Sequence, residues 1–142
     1  MDTEFKNSLL TEFKQKCRDK RLKITPQRTI IYEELINSTD HPSVDILYKR
    51  VKGKLPDISF DTVYRTLMTF NSIGIAEIVE GINTSKRYDG NTRKHYHYIC
   101  LRCGKITDIY DIAFKFEIPE IIKEKYSPSS VRVFFEGICE NC

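Results

Sequence analysis

The first half of the chain repeats apolar residues at the three- and four-residue spacing of amphipathic helices. The pattern predicts helices over residues 4–20, 26–38, 43–52 and 59–73. Thr25, Ser43 and Ser59 stand where N-caps are expected, and Pro26 occupies a first helical position. Gly53 and Gly74 stand where the third and fourth helices should stop. The predicted inward faces comprise Phe5, Leu9, Leu10, Phe13, Ile30, Ile31, Leu35, Val44, Leu47, Val51, Phe60, Val63, Leu67 and Phe70.

After Gly74 the apolar spacing changes from the helical period to that of short strands. "IAEIVEG" and "SKRYDG" predict two strands on either side of the turn-rich "GINTS". Helices followed by a two-stranded hairpin are the element order of a winged helix-turn-helix domain. The last helix would then be the recognition helix. We therefore predict a winged-helix DNA-binding domain over residues 1–82 and a hinge over residues 83–92.

Residues 93–142 follow a different pattern: strand, turn, strand, a helix over 113–126, and a strand over 130–138. About fifty residues are near the lower limit for an independent core, so this part should need a metal, a partner subunit or both. The predicted fold class is α+β, an N-terminal winged helix plus a small C-terminal α/β domain with a four-cysteine zinc site.

Charge supports DNA binding through its distribution. The net charge is only +3, but residues 14–28 contain seven basic side chains and a single acidic one, Asp19. Such a stripe neutralises phosphates, although a solvated helix face gives the same pattern. We predict these DNA-contacting residues: Thr62, Tyr64, Arg65, Lys14, Arg21 and Arg28. Without an apolar signal core or an apolar run of eighteen residues, we expect a soluble cytoplasmic protein with no membrane partner.

Four of the five cysteines form two Cys-x-x-Cys pairs, Cys100 with Cys103 and Cys139 with Cys142. Four thiolates at this spacing suit a closed tetrahedral Zn(II) site. Free thiols, a disulfide or a thioredoxin-like pair are the alternatives, and no strand–CxxC–helix context supports the last. The remaining cysteine, Cys17, is predicted to be a small buried apolar residue.

His41, His95 and His97 are the only histidines. His95 and His97 share one face of a strand, whereas Cys100 faces the other way, which argues for two separate sites. Asp89 and Asp108 lie on the neighbouring strands, so the set offers three imidazoles and two carboxylates. Ligands without a thiolate favour Fe(II), Mn(II) or an exchangeable Zn(II). Histidines without a ligand role remain the alternative.

These stretches together resemble the ferric uptake regulator family, and more narrowly its peroxide-sensing repressors. The resemblance covers nearly the whole chain and is carried by "LKITPQR", "DHPSVDILY", "DTVYRTL", "KRYDG", "HYHYICLRCGKITD" and "CENC". It implies a homodimer that binds double-stranded DNA at an inverted repeat, in which residues 93–142 form the dimerisation domain and carry a structural Zn(II) on the four cysteines. The implied ligands of a regulatory Fe(II) or Mn(II) are His41, Asp89, His95, His97 and Asp108.

The resemblance also implies a mechanism. In peroxide sensors, Fe(II)-catalysed oxidation converts ligand histidines to 2-oxo-histidine, here His41 and His95, and the regulator leaves DNA. Asp108 favours the peroxide-sensing branch of the family, because peroxide sensors carry aspartate at this position and iron-uptake regulators typically carry glutamate. An iron- or zinc-supply regulator without peroxide sensing is the alternative. A zinc-stabilised enzyme is disfavoured, because five protein ligands would leave little room for water and substrate at the metal, whereas a catalytic metal keeps an open position, so we expect no enzymatic activity.

Overall fold

The computed structural model describes residues 2–80, 85–110, 115–128 and 131–142. The chain forms two compact units, a first unit of Met1–Arg93 and a second unit of Lys94–Cys142. Residues 85–92, which the sequence pattern assigns to a hinge, belong to the first unit. Among the described residues, no helix combines the length and apolarity needed to span a membrane.

Four helices make up most of the first unit, and each begins at a residue whose side chain caps it. The helices are α1 (Thr3–Asp19), α2 (Pro26–Asn37), α3 (Val44–Lys52) and α4 (Phe60–Ser72). Thr25, Ser43 and Ser59 accept hydrogen bonds from backbone N–H groups of the following turn, as predicted. Asp2 caps α1 in the same way.

The end of α1 has a form that the sequence pattern did not predict. The Arg21 N–H donates to the Arg18 carbonyl, and the Leu22 N–H donates to the Cys17 carbonyl. This is the Schellman pattern, which needs a left-handed residue at the position after the cap, usually glycine. Here Arg21 adopts it, with φ of 54°.

The core of the first unit lies where the predicted apolar faces of the four helices meet. Phe13 stacks on Tyr32 with ring centroids 4.5 Å apart, and both rings meet Phe70 edge-on. Cys17 is fully buried in this cluster, as predicted. Phe60 is the exception, because its side chain is 40% exposed although the sequence placed it on the inner face of α4. It is the first residue of α4 and packs edge-on against Tyr48 at the surface.

A two-stranded antiparallel hairpin follows the helices. β1 (Glu77–Glu80) pairs with β2 (Lys86–Asp89), with Glu77 opposite Asp89 and Glu80 opposite Lys86. Gly74, with φ of 81°, ends α4 and lets the chain turn towards β1. Helices followed by this hairpin confirm the predicted order of the N-terminal half.

The second unit is built on a three-stranded sheet with the order β4-β3-β5. Its elements are β3 (Tyr96–Cys100), β4 (Ile106–Ile109), α5 (Glu120–Lys125) and β5 (Phe134–Gly137). β3 runs antiparallel to β4 and parallel to β5. The predicted α+β class is confirmed.

One helix and one strand of the second unit are shorter than the sequence pattern predicts. The helix expected over 113–126 begins only at Glu120; residues 115–119 are not helical, and 113–114 lie outside the described residues. Pro119 explains the late start, because a proline disfavours helical backbone in the residue before it. The strand expected over 130–138 begins at Phe134, where pairing with β3 starts; residues 131–133 are not in a strand, and residue 130 lies outside the described residues.

Candidate metal centres

Four cysteine sulfurs converge at one end of the second unit. The Cys100 and Cys142 sulfurs lie 3.9 Å apart, and those of Cys103 and Cys139 lie 3.8 Å apart. Four sulfurs at about 2.3 Å from a zinc ion stand roughly 3.8 Å apart on a regular tetrahedron. A disulfide would require about 2.05 Å. The arrangement therefore fits a tetrahedral zinc ion.

Backbone hydrogen bonds prepare Cys100 to act as a thiolate. Its sulfur accepts the backbone N–H of Cys103 at 3.4 Å and that of Cys139 at 3.3 Å. These N–H groups, led by that of Cys103, lower the pKa of Cys100 to about 6. Hydrogen bonds among the clustered thiols, led by that with Cys139, raise the pKa of Cys142 to about 12. A bound zinc ion would displace that proton, because the thiolate is the ligand form.

Sheet pairing explains why the C-terminal cysteines reach the first pair. Parallel pairing of β3 and β5 sets Gly137 beside Cys100. The Tyr98 hydroxyl then donates to the Ile138 carbonyl at 3.2 Å, and the Arg102 guanidinium donates to the Cys142 carbonyl at 2.9 Å. These two side chains hold the segment that carries Cys139 and Cys142. No sequence motif marks either role.

A second cluster of ligand types lies within the second unit, where β3 faces β4. Antiparallel pairing places His97 directly opposite Asp108. The Nε2 atoms of His95 and His97 lie 3.0 Å apart, and each lies 3.4 Å from the Asp108 Oδ1 atom. Ligands about 2.1 Å from an ion and at right angles lie roughly 3.0 Å apart. These three side chains are spaced as ligands on one side of a metal ion.

Tyr110 supports this histidine cluster. It directly follows β4, and its ring stacks on that of His95 with centroids 5.4 Å apart. Its hydroxyl donates to the Asp108 Oδ2 atom at 3.3 Å, which leaves the Oδ1 atom of that carboxylate towards the histidines. The sequence could have indicated this role of Tyr110, because residues two apart on a strand, here Asp108 and Tyr110, point to the same face.

Within the first unit, His41 and Asp89 form a pair of ligand types. His41 precedes the N-cap of α3, and Asp89 is the last residue of β2. The His41 Nε2 atom lies 3.5 Å from the Asp89 Oδ2 atom, and both side chains are buried. The other Asp89 oxygen, Oδ1, accepts the backbone N–H of Asn91 at 2.8 Å. The carboxylate is therefore oriented with one oxygen towards His41.

The residues predicted to contact DNA on α4 lie at its N-terminal half. Tyr64 is exposed, and Arg65 is exposed over 78% of its side chain while pairing with Asp61 at 2.9 Å. Thr62 is half-buried, and its hydroxyl shares a 2.8 Å hydrogen bond with that of Ser59. Tyr64 and Arg65 are thus presented to solvent, whereas Thr62 also completes the helix N-terminus.

The basic residues predicted to contact DNA outside α4 differ in how they are presented. Lys14 and Arg21 are exposed. Arg28 is half-buried, and its guanidinium donates to the Lys23 carbonyl at 2.6 Å. That contact folds the loop between α1 and α2 back onto α2, so Arg28 has a structural use besides the predicted one.

Comparisons with known proteins agree with this architecture. The model of the ferric uptake regulator family matches residues 19–135. The peroxide operon regulator of Bacillus subtilis is 35% identical over 135 residues, which cover 94% of this chain and 92% of that protein. The peroxide-responsive repressor PerR of Staphylococcus epidermidis is 36% identical over 123 residues, covering 85% and 81%.

A solved structure agrees with these relatives over the whole length. The Campylobacter jejuni peroxide stress regulator superposes with a TM-score of 0.68 at 27% identity and covers 100% of both chains. The match to the family model covers most of the chain, and the relatives are more than 30% identical over most of its length. This chain belongs to the ferric uptake regulator family.

Proposed function

We propose that this protein is a metal-dependent DNA-binding repressor that senses hydrogen peroxide. The observation that carries the proposal is the clustering of imidazole and carboxylate ligands, His41 with Asp89 and His95 with His97 and Asp108. The relatives named as peroxide-responsive support the choice of signal. Asp108 supports this signal as well, because the resemblance implies aspartate at this position in peroxide sensors and glutamate in iron-uptake regulators.

The regulatory ion is proposed to be Fe(II) or Mn(II), held by all five of these side chains. Nitrogen and oxygen ligands without a thiolate suit both ions and allow exchange, in contrast to four thiolates. His41 and Asp89 would come from the first unit and the other three from the second. One ion bound by both would fix the relative orientation of the units.

A structural Zn(II) on Cys100, Cys103, Cys139 and Cys142 is the second proposed ion. The sulfur–sulfur distances near 3.8 Å and the low pKa of Cys100 support it. Its role would be to hold the C-terminal segment against β3 whether or not the regulatory ion is bound.

The proposed partners are double-stranded DNA and a second copy of the chain, which implies a cytoplasmic location. Residues 1–82 would bind DNA, residues 83–92 would form the hinge and residues 93–142 would dimerise. A two-fold dimer presents two recognition helices, which suits an inverted-repeat operator. Exposed apolar side chains of the second unit support a dimer surface there: Leu101, Phe116, Ile121, Ile122, Tyr126, Val131, Phe134 and Ile138.

The proposed switch follows from which form of the protein holds the ion. An ion that binds only the DNA-binding arrangement of the protein shifts the population towards that arrangement, by an amount set by the difference in metal affinity between the two arrangements. Loss of His41 as a ligand would remove this difference in affinity. Bound Fe(II) would supply the chemistry that cleaves the O–O bond of peroxide. The net reaction inserts one peroxide oxygen into the imidazole of His41 or His95 and releases the other as water. The oxidised ring is a poorer ligand.

DNA binding by protein loaded with Fe(II) or Mn(II), before and after dilute peroxide, tests the proposal. The probe would be a duplex selected from a random pool by the Mn(II)-loaded protein. Both loaded forms should bind it, and peroxide should abolish binding by the Fe(II) form alone. Zinc content measured in the same samples checks that the cysteines were not the target. DNA binding that needs no metal would refute the proposal.

An Fe(II) form that keeps binding DNA after peroxide would instead favour a regulator of metal supply within the same family. Asp108→Glu addresses this alternative directly. In a peroxide sensor, the variant should still bind DNA with Mn(II) or Fe(II) but lose its response to peroxide. Fluorescence anisotropy of a labelled duplex measures both properties.

A further inference from the structure

The loop that carries His41 is held by an arginine outside the proposed ligand set. The Arg87 guanidinium donates through Nε to the His41 carbonyl at 2.5 Å and through a terminal nitrogen to the Asp40 carbonyl. Arg87 lies on β2, two residues before Asp89. Side chains two residues apart on a strand point to the same face. One face of β2 therefore supplies both a proposed ligand and the group that grips the partner ligand's backbone.

The backbone around His41 is laid onto β2 by further hydrogen bonds. The Tyr88 N–H donates to the Pro42 carbonyl at 3.0 Å, and Ser43 forms a β-bridge with Arg87. His41 itself has φ of 51°, in the left-handed region that residues other than glycine seldom adopt. Such a conformation persists where the surroundings hold it in place. Arg87 and the bridge are the surroundings that do so here.

A second arginine holds the neighbouring residue from the helix side. The Arg50 guanidinium on α3 binds both carboxylate oxygens of Asp40, at 2.8 and 2.6 Å, and also donates to the Ser38 hydroxyl. Asp40 is thus gripped by its carboxylate from α3 and by its carbonyl from β2. His41 is the next residue in the chain, so the contacts that hold Asp40 also restrain the position of His41.

We propose that Arg87 is a positioning residue of the regulatory metal site, acting on His41 through the backbone. This inference rests on the proposed function, because it assumes that His41 is a ligand. Its chemical basis is the planar guanidinium, which presents several donors in a fixed fork and can hold two successive carbonyls together. A lysine ammonium is a point charge on a flexible stem and holds the loop less firmly.

The test is Mn(II) affinity of the full-length zinc-containing protein, measured by titration calorimetry, in Arg87→Met, Arg87→Lys and a Lys86→Met control. Lys86 is the exposed neighbour on the opposite face of β2. Groups that orient ligands typically change metal affinity by roughly 10–100-fold. Arg87→Met should weaken Mn(II) by that factor, Arg87→Lys should fall between it and wild type, and Lys86→Met should match wild type.

A second measurement separates positioning from a general loss of stability. After brief peroxide treatment of the Fe(II)-loaded proteins, peptide mass spectrometry gives the ratio of oxygen added to His41 and to His95. Arg87→Met should lower this ratio, because only His41 depends on Arg87. If Arg87→Met fails to fold by circular dichroism, Arg87→Lys decides the question on both measurements.

The outcomes are distinguishable from failure of the proposed function. Wild-type protein that binds no Mn(II) and gains no oxygen on either histidine contradicts the proposed function itself. Wild-type behaviour as proposed, together with a folded Arg87→Met whose Mn(II) affinity and oxidation ratio are unchanged, overturns the role of Arg87. For Arg87→Lys, values equal to wild type on both measurements would overturn it likewise.

Discussion

Removing one of the proposed zinc ligands should unfold the second unit while leaving the first intact. We choose Cys103→Ser, because the Cys103 side chain is exposed and its replacement opens no cavity. Among the described residues of the second unit, the only buried aliphatic side chains are Ile99 and Ile106. Their burial contributes about 1.5–3 kcal/mol each. A structural zinc ion contributes about 10–16 kcal/mol in small zinc domains, so the ion outweighs this core.

The assay is backbone hydrogen exchange followed by mass spectrometry, with zinc counted on the same samples. Cys103→Ser should give up zinc to a chelator, and the amides of β3 and β5 should lose protection while those of α1 to α4 keep theirs. Cys17→Ala is the matched control, because Cys17 is buried in the first unit and far from the cluster in sequence. It should keep its zinc. Protected β3 and β5 amides in zinc-free protein would refute this reasoning.

Three further predictions concern individual residues and their partners. Arg21→Gly should raise the free energy of unfolding by about 1 kcal/mol, because it relieves the left-handed strain at the end of α1. The same variant should bind DNA more weakly, and the slope of log K against log salt should become shallower by about 0.9 for each phosphate that is no longer neutralised. Chemical unfolding and anisotropy check the two effects, and unchanged DNA binding would remove Arg21 from the interface. Hydrogen bonding from Arg50 lowers the pKa of Asp40, so the pair stabilises the fold above about pH 3.9 and the stabilisation is lost as pH falls through the lowered value. The stability difference between wild type and Asp40→Asn should therefore be constant near neutrality and shrink in acid, and a difference that grows in acid would contradict the assignment. Gly137→Ala should cost about 1–3 kcal/mol, because its Cβ would meet the Tyr98 hydroxyl. Tyr98→Phe should recover part of that loss in a double-mutant cycle of thermal unfolding, and additive effects would show that the two residues do not interact.

Local signals in the sequence were enough to predict the first unit in detail. Thr25, Ser43 and Ser59 begin their helices because their hydroxyls can accept the N–H groups left open at a helix start. The change of apolar spacing after Gly74 located the hairpin. The end of α1 could not be predicted as well, because Arg21 occupies the left-handed position after the helix cap, where glycine is the usual sequence signal.

The second unit was less predictable because its elements depend on pairing between distant segments. The residues around Pro119 have helical apolar spacing, but the proline ring limits the helix to the residues after it. β5 exists only where it meets β3, which no local pattern around Phe134 specifies. Alternation along β3 did separate His97 from Cys100, and that simple geometry indicated two proposed sites instead of one.

Arg87 and Tyr110 show what sequence patterns leave out. Residue types and spacing identified the candidate ligands, since imidazole and carboxylate chemistry can be recognised in a bare sequence. The groups that orient those ligands act through hydrogen bonds to a carbonyl or to a second carboxylate oxygen. An arginine or a tyrosine with such a role looks like any surface residue until the partners are in place.

The central claim is that peroxide is sensed by oxidation of histidines at the regulatory site. The most direct test is peptide mass spectrometry of Fe(II)-loaded protein after exposure to dilute peroxide labelled with heavy oxygen, with Mn(II)-loaded protein as control. We predict one labelled oxygen atom on the peptides that contain His41 or His95 in the Fe(II) form only, appearing in step with loss of DNA binding. Loss of DNA binding without labelled oxygen on either peptide, or retained binding with no labelled oxygen, would contradict the claim.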